Sequence, residues 1–185
     1  YHEGWTYQGG AFELGFNLSW ALGALTMRNG ENLARRLGLS PERLEEMLDA
    51  TDAMAGAFRA LPLSSQPFLE RDEAAYYFDW LSHPADDRFW KGLRIEGHHE
   101  KIGIPSLNVS GWYDIFLMGT IRNYGRMRSA GGSDAARRGA RLVIGPWSHT
   151  ALAANAAGTI DYGQRAGAAG IDLDDVTLRF FERWL

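Results

Sequence analysis

Two short apolar stretches decide the fold: I-P-S-L-N-V-S-G-W-Y-D, residues 104–114, and A-R-L-V-I-G-P-W-S-H, residues 140–149. Apolar runs of this length are typical of strands buried in a parallel sheet. Each run ends in an ionisable side chain, Asp114 in the first and His149 in the second. Because chemistry in open α/β sheets gathers outside the carboxyl ends of the strands, we expect these two side chains to meet at one edge of a sheet.

The residues between and after these runs indicate a β-α-β-α unit. The spacing of apolar residues predicts a helix over 116–128 and a terminal helix over 172–185. Residues 131–139 are predicted to form a flexible basic loop, and residues 151–170 a loop of small residues. Two parallel strands leave both sheet edges unpaired, so we expect either further strands from a longer protein or a homo-oligomer formed through an exposed edge.

The N-terminal half of the chain has a helical pattern. The motif W-T-Y-Q-G-G at 5–10 indicates an aromatic loop closed by a glycine turn, and a densely apolar helix is predicted after it, over 12–27. Ser40 and Pro41 provide an N-cap and a first-turn proline for a further helix. The apolar residues of that helix recur at three- and four-residue spacing as far as Phe58, so we predict one continuous helix there.

These patterns predict two domains with a boundary near residue 94. Residues 1–93 are predicted to form an all-helical subdomain, and residues 94–185 the part that contains the two strands. The fold class is therefore α/β, with a partial sheet of two parallel strands and helices plus a helical subdomain. A chain of 185 residues is long enough for one sizeable core, or for a small core with an appended subdomain.

Charge and hydropathy argue against two classes of partner. A net charge of −4 and a pI near 5.7 provide no basic surface for a nucleic acid. The most apolar window, 12–27, is interrupted by polar residues and glycines and is shorter than the roughly 20 apolar residues of a membrane span. The absence of cysteine fits a reducing compartment such as the cytoplasm, and a targeting segment is expected only before Tyr1.

Asp114 and His149 are the candidate acid and base of a catalytic triad. Such a triad needs a carboxylate that orients the imidazole and a base that reaches a nucleophilic hydroxyl. The order Asp before His along the chain is also that of the α/β-hydrolases. The alternative interpretation is that Asp114 only caps the helix that follows it and that His149 is a loop residue.

The nucleophile of such a triad is missing from the sequence. The nearest match to the G-x-S-x-G elbow is G-G-S-D-A at 131–135, which follows a predicted helix rather than a strand. This match also lies between Asp114 and His149, which is the wrong order. We interpret Ser133 as a loop residue and expect a catalytic serine, if one is used, before Tyr1.

Two further clusters have both a functional and a structural interpretation. The H-H-E run at 98–100 lacks the spacing of a metal site, so we predict a solvated polar loop and neither a metal nor another cofactor. Trp5 and Trp20 lie outside any regular helical stripe, which makes them candidates for lining a pocket. Aromatic residues are more often part of a core, and that alternative stays open.

Five motifs together resemble a known family. They are, in chain order, W-T-Y-Q-G-G (5–10), S-W-A-L (19–22), H-P-x-D-x-x-F-W (83–90), G-W-Y-D-I-F (111–116) and G-P-W-S-H (145–149). This set resembles the cocaine esterase and X-prolyl dipeptidyl peptidase family of α/β-hydrolases, which are acyl esterases and peptidases. The likeness extends over nearly the whole chain, and G-P-W-S-H is its most specific part.

The resemblance implies roles for particular residues. Asp114 matches the triad acid of the family and His149 the triad base. The aromatic side chains that match Trp5, Trp20 and Phe116 line the acyl pocket of an esterase member, and the helical segment matches a cap inserted into the hydrolase sheet. The nucleophile elbow, the oxyanion-hole tyrosine and a jelly-roll domain have no match here. Ile115 stands where an esterase member has glycine.

Three hypotheses of function follow. The first is a fragment of a serine acyl hydrolase that carries the triad Asp and His, acts on a small acyl ester or a short peptide when intact, and is inactive as an isolated chain. The second is a non-catalytic binding or assembly module rich in aromatic residues. The third is self-association through the sheet edge. The sequence leaves open whether an ester or a prolyl peptide is cleaved.

Overall fold

The computed structural model describes residues 2–23, 30–66 and 69–185. The chain divides into two compact units, Tyr1–Arg94 and Ile95–Leu185. Within the described part of the chain, no helix has the length and apolar character needed to cross a membrane. The two units are described separately below.

The first unit is built from short helices and one small hairpin. Its elements are β1 (Tyr7–Gln8), β2 (Ala11–Phe12), α1 (Leu14–Gly23), α2 (Gly30–Leu37), α3 (Pro41–Asp52), α4 (Met54–Ala57), α5 (Ala75–Ser82) and α6 (Arg88–Lys91), with a 3-10 turn at Leu63–Ser65. β1 and β2 pair antiparallel around Gly9 and Gly10, which both have the positive φ that glycine adopts without strain. The predicted all-helical subdomain is therefore wrong in one respect, because the aromatic loop at 5–10 forms part of a hairpin.

Two of the predicted helices have different limits in the structure. α1 ends at Gly23, and residues 24–29 of the predicted helix 12–27 lie outside the described residues. The helix that begins after Ser40 is capped as expected, since the Ser40 hydroxyl accepts a hydrogen bond from the Arg43 backbone N–H at 3.2 Å. It does not continue to Phe58, because the chain leaves helical geometry at Ala53 and starts the separate helix α4.

The core of the first unit forms around one face of α1. Leu18, Ala21 and Leu22 recur at three- and four-residue spacing and are completely buried. They belong to a cluster with buried residues of α3, α4, α5 and the connecting segments: Met47, Ala50, Ala57, Leu69, Ala74, Tyr77 and Phe78. Burial raises the pKa of the Tyr77 hydroxyl to about 12.

A buried ion pair joins α3 to the segment that leads into α5. The Arg43 guanidinium donates two hydrogen bonds of 2.8 Å to the two carboxylate oxygens of Glu73. The Glu73 side chain is only 3% exposed, and it also accepts a hydrogen bond from the Glu70 backbone N–H at 3.2 Å. Because the charge of Glu73 is removed from water, the bidentate contact with Arg43 is what compensates its desolvation.

The second unit contains the two long strands. Its elements are β3 (Leu107–Tyr113), α7 (Leu117–Ala130), α8 (Asp134–Gly139), β4 (Arg141–Ser148), β5 (Ala156–Ala157), β6 (Ile160–Asp161), α9 (Ala168–Ile171) and α10 (Leu173–Trp184), with 3-10 turns at His99–Lys101 and Gln164–Ala166. β3 and β4 are parallel, as predicted, and α7 packs against both strands. The described residues thus contain a small parallel sheet with helices, which is a partial α/β fold.

The register of β3 and β4 changes by one residue near their carboxyl ends. Gly111 is opposite Gly145, but Tyr113 is opposite Ser148, so β4 contains one residue more than β3 over this step. Such a bulge bends a strand and changes the direction of the side chains after it. Trp147 occupies the bulge and is buried, and a Cβ added at either glycine would overlap its backbone or its indole ring. Gly111 is therefore required for the close approach of β3 to the backbone of β4, and Gly145 makes room for the indole of Trp147 on its own strand.

Two predicted loops of the second unit are wrong. Residues 131–139 contain α8, whose first turn is capped by the Ser133 hydroxyl, which accepts a 2.9 Å hydrogen bond from the Ala136 backbone N–H. Asp134 in its first turn and two arginines in its last turn interact favourably with the helix dipole and so stabilise α8. Residues 151–170 contain the hairpin of β5 and β6, the 3-10 turn Gln164–Ala166 and the start of α9.

The polar run at 98–100 is only partly solvated. His98 is exposed, but His99 is buried and its Nε2 lies 2.9 Å from Oδ1 of Asn123 on α7. The Asn123 amide donates to Oδ1 of Asn108 on β3 at 3.1 Å. The Asn108 amide donates in turn to the Ser106 hydroxyl at 3.1 Å and to the Arg141 carbonyl at 3.0 Å. This network connects α7 to both strands, so the prediction of a solvated loop is wrong for His99.

The Arg43–Glu73 pair predicts a large cost for removing one partner. Arg43→Met leaves the Glu73 carboxylate buried without its guanidinium, and we expect the free energy of unfolding to fall by about 3 kcal/mol. Urea unfolding followed by circular dichroism measures the loss. The control is Arg71→Met, which removes an exposed pair with Asp79 at 3.5 Å and a cation–π contact with Phe78 at 5.2 Å, and is expected to cost no more than about 1 kcal/mol. Equal losses in the two variants would contradict a special contribution from burial.

The close approach of the strands predicts that Gly111 cannot be replaced. Gly111→Ala places a Cβ against the backbone of Trp147, so we expect a loss of about 1–3 kcal/mol of stability. The matched control is Gly125→Ala on α7, where the added Cβ meets open space and alanine should stabilise the helix by about 0.5–1 kcal/mol. Opposite shifts of the urea midpoint are expected, and a Gly111→Ala variant as stable as the parent would refute the required contact.

Candidate active site

The candidate site begins where β3 and β4 end. Asp114 directly follows β3 and His149 directly follows β4. The bulge puts Tyr113 opposite Ser148, and just beyond this last pair His149 Nδ1 lies 3.1 Å from Asp114 Oδ1. The two side chains, 35 residues apart in sequence, are thus brought together at the carboxyl edge of the sheet.

The Asp114 carboxylate accepts hydrogen bonds on both oxygens. Oδ1 accepts from the Phe116 backbone N–H at 2.8 Å as well as from His149. Oδ2 accepts from the Ser110 hydroxyl at 3.2 Å. The side chain is 7% exposed, so the carboxylate is held by protein donors more than by water. The bond to Phe116 lies in the turn before α7, whose N-cap residue is Phe116, so Asp114 is not the N-cap that the alternative interpretation expected.

The His149 ring contacts protein on one side and is open to solvent on the other. Phe116 meets the imidazole edge-on, with ring centroids 4.7 Å apart and planes at 89°. The histidine side chain is 50% exposed. An ionised carboxylate can only accept, so Nδ1 carries the proton in this contact, and the lone pair of the neutral ring is then on Nε2. This tautomer leaves Nε2 able to accept a proton from a group outside the pair.

The segment after His149 returns to the same end of β3. Its hairpin carries Tyr162, whose hydroxyl is hydrogen-bonded to the hydroxyl of Tyr113. This hydrogen bond raises the pKa of Tyr162. Further along, the Ala166 carbonyl accepts a 2.7 Å hydrogen bond from the indole N–H of Trp147. Hydrogen bonds therefore connect the segment after His149 to both strands.

Ser133 has a structural role in the fold. Its hydroxyl donates to the Gly103 carbonyl at 2.6 Å and accepts from the Ala136 N–H at the start of α8. Both hydrogen bonds join Ser133 to the backbone, so it is the N-cap of α8 and not the loop residue that the sequence predicted.

The predicted substrate-binding aromatic residues lie in different units. Trp5 and Trp20 are in the first unit and meet edge-on, with ring centroids 6.2 Å apart. Phe16 completes this cluster, at 5.6 Å from Trp5 and 6.2 Å from Trp20. Phe116 is in the second unit, against His149. Their role in binding a substrate stays a prediction.

A second His–Asp pair is present in the first unit. His83 Nδ1 lies 2.7 Å from Asp87 Oδ2, and Asp87 Oδ1 accepts from the Phe89 backbone N–H at the start of α6. The hydrogen bond from His83 lowers the pKa of Asp87. Among the described residues, no group of three or more histidine and acidic side chains is arranged to hold a metal ion.

Two residues of these clusters were not found from the sequence. Ser110 contacts Asp114. The sequence indicates this only through the position of Ser110, four residues before the acid. Phe16 contacts both tryptophans, and the sequence indicates this only through its position four residues before Trp20, which puts the two on one face of a helix. Neither signal is distinctive, because serines and aromatic residues at such spacings are common in strands and helices.

Fold and site together define an α/β protein in which an acid and a histidine meet at the carboxyl ends of adjacent parallel strands. The family model described as X-Pro dipeptidyl-peptidase (S15 family) matches residues 1–151. The chain therefore belongs to the X-Pro dipeptidyl-peptidase family S15, and the resemblance found from the motifs is confirmed.

One curated relative is the cocaine esterase of Rhodococcus sp. (strain MB1 Bresler). It is 27% identical to this chain over 159 residues, which cover 82% of this chain and 25% of the relative. The chain thus spans about a quarter of the length of the curated relative that it matches. The activity of a complete protein is for that reason treated as a proposal below.

The contacts of Ser133 predict a loss of stability on its removal. Ser133→Ala deletes the cap of α8 and the bond to Gly103, so we expect the free energy of unfolding to fall by about 1 kcal/mol. The control is Ser129→Ala at the exposed end of α7, where the change should stay within about 0.5 kcal/mol. Thermal or urea unfolding compares the two. A Ser133→Ala variant with unchanged stability would contradict the capping role.

Proposed function

We propose that this chain supplies the acid and the base of a serine acyl hydrolase. The observation that carries the proposal is the 3.1 Å contact between His149 Nδ1 and Asp114 Oδ1 at the carboxyl ends of two parallel strands. Membership in the X-Pro dipeptidyl-peptidase family supports hydrolysis of a peptide or ester bond. The name of the curated relative, an esterase, supports the same reaction class.

In the proposed first step, His149 acts as general base. Its Nε2 takes the proton from a serine hydroxyl while the serine oxygen attacks the carbonyl carbon of the substrate. Asp114 keeps the imidazole in the Nδ1–H tautomer and stabilises the imidazolium that forms. When the tetrahedral intermediate collapses, His149 gives the proton to the leaving alcohol or amine, and an acyl-serine remains.

In the second step, water replaces the serine. His149 Nε2 accepts a proton from a water molecule as its oxygen attacks the acyl carbon, and the proton then returns to the serine oxygen as the acid product leaves. The exposed half of the imidazole supports this arrangement, because a hydroxyl and a water molecule can reach Nε2. We propose that the serine and the groups that stabilise the oxyanion come from outside these 185 residues.

The proposed substrates are small acyl esters or short peptides. We assign Trp5, Trp20 and Phe116 to the acyl pocket, as the family resemblance implies. The contact of the Phe116 ring with His149 supports its part of this assignment, because a side chain touching the base also borders the reacting group. The aromatic cluster of Trp5, Phe16 and Trp20 supports an apolar acyl group. We also propose that the helical first unit serves as a cap.

A second candidate function is a non-catalytic assembly module. Large apolar side chains are exposed around the strand ends and on the terminal helix, namely Trp112, Tyr113, Ile115, Met118, Leu178 and Phe181. Exposed apolar surface of this kind favours association with another protein surface or a second copy of the chain. In that case Asp114 and His149 are structural, and their substitution leaves any hydrolysis unchanged.

The proposal predicts that activity of the intact protein depends on both residues. His149→Gln and Asp114→Asn are each expected to lower kcat for p-nitrophenyl ester hydrolysis by about 10⁴-fold, because the base or its orientation is lost. The matched control is His98→Gln, an exposed histidine of the same unit, which should keep full activity.

Two further outcomes decide between the candidate functions. The 185-residue chain alone is expected to show no serine-dependent turnover, whereas the intact protein should be inactivated by a fluorophosphonate that modifies a serine. Full activity in both site variants would reject the hydrolase proposal and favour the assembly module. Serine-dependent turnover by the isolated chain would show that the nucleophile lies within it.

A further inference from the structure

Ser110 connects the interior of β3 to the candidate acid. It lies opposite Ile144 of β4 in the part of the strands before the bulge, and it is completely buried. Its hydroxyl donates to Oδ2 of Asp114 at 3.2 Å. A buried hydroxyl normally has a hydrogen-bond partner, and here the partner is the carboxylate that also contacts His149.

The donors around Asp114 hold its two oxygens from different sides. Oδ1 is bound by the Phe116 N–H and the imidazole of His149, and Oδ2 is bound by Ser110. With both oxygens engaged, rotation of the carboxylate about its Cβ–Cγ bond breaks at least one hydrogen bond. The side chain is 7% exposed, so water can replace a lost donor only in part.

We propose that Ser110 is a positioning residue of the site: its hydroxyl fixes the plane of the Asp114 carboxylate and thereby keeps the proton of neutral His149 on Nδ1. The catalytic meaning of this role rests on the proposed function. The effect on the imidazole does not, because it is a property of the three side chains alone.

Removal of the hydroxyl has a defined physical consequence. Oδ2 loses a donor in a nearly dry environment, and the carboxylate turns towards whatever water or donor can reach that oxygen. The geometry of the bond from His149 to Oδ1 then weakens. Because the hydrogen bond at one ring nitrogen decides where the proton of a neutral imidazole lies, part of the population moves its proton to Nε2. An Nε2–H ring cannot accept a proton at that atom.

The test uses the intact protein labelled with ¹⁵N-histidine. The two ring nitrogen shifts of His149, assigned by their loss in His149→Gln, report the tautomer at a pH where the imidazole is neutral. In the parent protein we expect Nδ1–H to dominate. In Ser110→Ala we expect the Nε2–H fraction to rise several-fold. Asp114→Asn provides the reference spectrum for an imidazole whose carboxylate partner has been removed.

Two additional variants separate positioning from packing. Ser106→Ala is the matched control, because it also removes a hydroxyl beside β3 that is bonded to a side chain, the Asn108 amide. It should leave the His149 tautomer unchanged. Ser110→Cys keeps a similar side chain with a weaker donor and should give a tautomer fraction between parent and Ser110→Ala. An unchanged tautomer in both Ser110 variants overturns the proposal, and the cysteine variant decides it if the alanine variant does not fold.

Kinetics distinguish this inference from the proposed function. On a p-nitrophenyl ester, Ser110→Ala should lower kcat by about tenfold with little change in KM, because substrate binding does not involve the hydroxyl. A tautomer shift in a protein without any hydrolase activity would reject the proposed function and keep the positioning role. A loss of kcat with an unchanged tautomer would reject the positioning role and keep the function.

Discussion

The position of His149 depends on the close contact of β3 and β4 at Gly111 and Gly145, where the register of the two strands changes. The two strands keep one register up to this pair, and the extra residue of β4 then shifts β4 by one residue relative to β3. Trp147 fills the bulge, and its indole N–H is held by the Ala166 carbonyl at 2.7 Å. If the register continued unchanged from Gly111 and Gly145, Ser148 and not His149 would reach the position of Asp114. Gly111 thus allows β3 to approach the backbone of Trp147, and Gly145 leaves space for its indole ring, so both glycines accommodate the bulge that precedes His149.

The acid is held from the helical side as well as from the sheet. Asp114 Oδ1 accepts the Phe116 N–H in the turn between β3 and α7, so the carboxylate is also bonded to the backbone that leads into the helix. α7 is attached to the strands through Asn123, which bonds to Asn108 of β3 and to buried His99. A polar network buried between helix and sheet has few alternative arrangements, because each unsatisfied group would cost desolvation energy. The network at Asn123 therefore fixes α7 on the strands, and the Phe116 N–H that precedes this helix is one of the donors to Asp114.

The sequence was sufficient to predict what depends on composition and periodicity. The apolar runs predicted β3 and β4, and the ionisable residues at their ends predicted that Asp114 and His149 meet. The bulge has no comparable signal, because one extra residue in a strand leaves the apolar pattern almost unchanged. α8 was missed since its flanking glycines at 131 and 139 resemble a loop, although Ser133 is a good cap. The burial of His99 follows from a tertiary contact with Asn123, which local sequence does not encode.

The second His–Asp pair shows why a short contact alone does not define a site. His83 and Asp87 are closer than His149 and Asp114, at 2.7 Å against 3.1 Å, and Asp87 also binds a backbone N–H. The difference is in the surroundings of the carboxylate, because the Asp87 side chain is 40% exposed and that of Asp114 is 7% exposed. Water therefore reaches the Asp87 carboxylate more easily, whereas the Asp114 carboxylate depends on protein donors. His83 also stacks flat on Phe89, with centroids 4.5 Å apart, which orders it as part of a capped turn. The nearly buried Asp114 carboxylate and the place of its contact with His149 at the ends of two parallel strands are the physical reasons to assign the chemistry there.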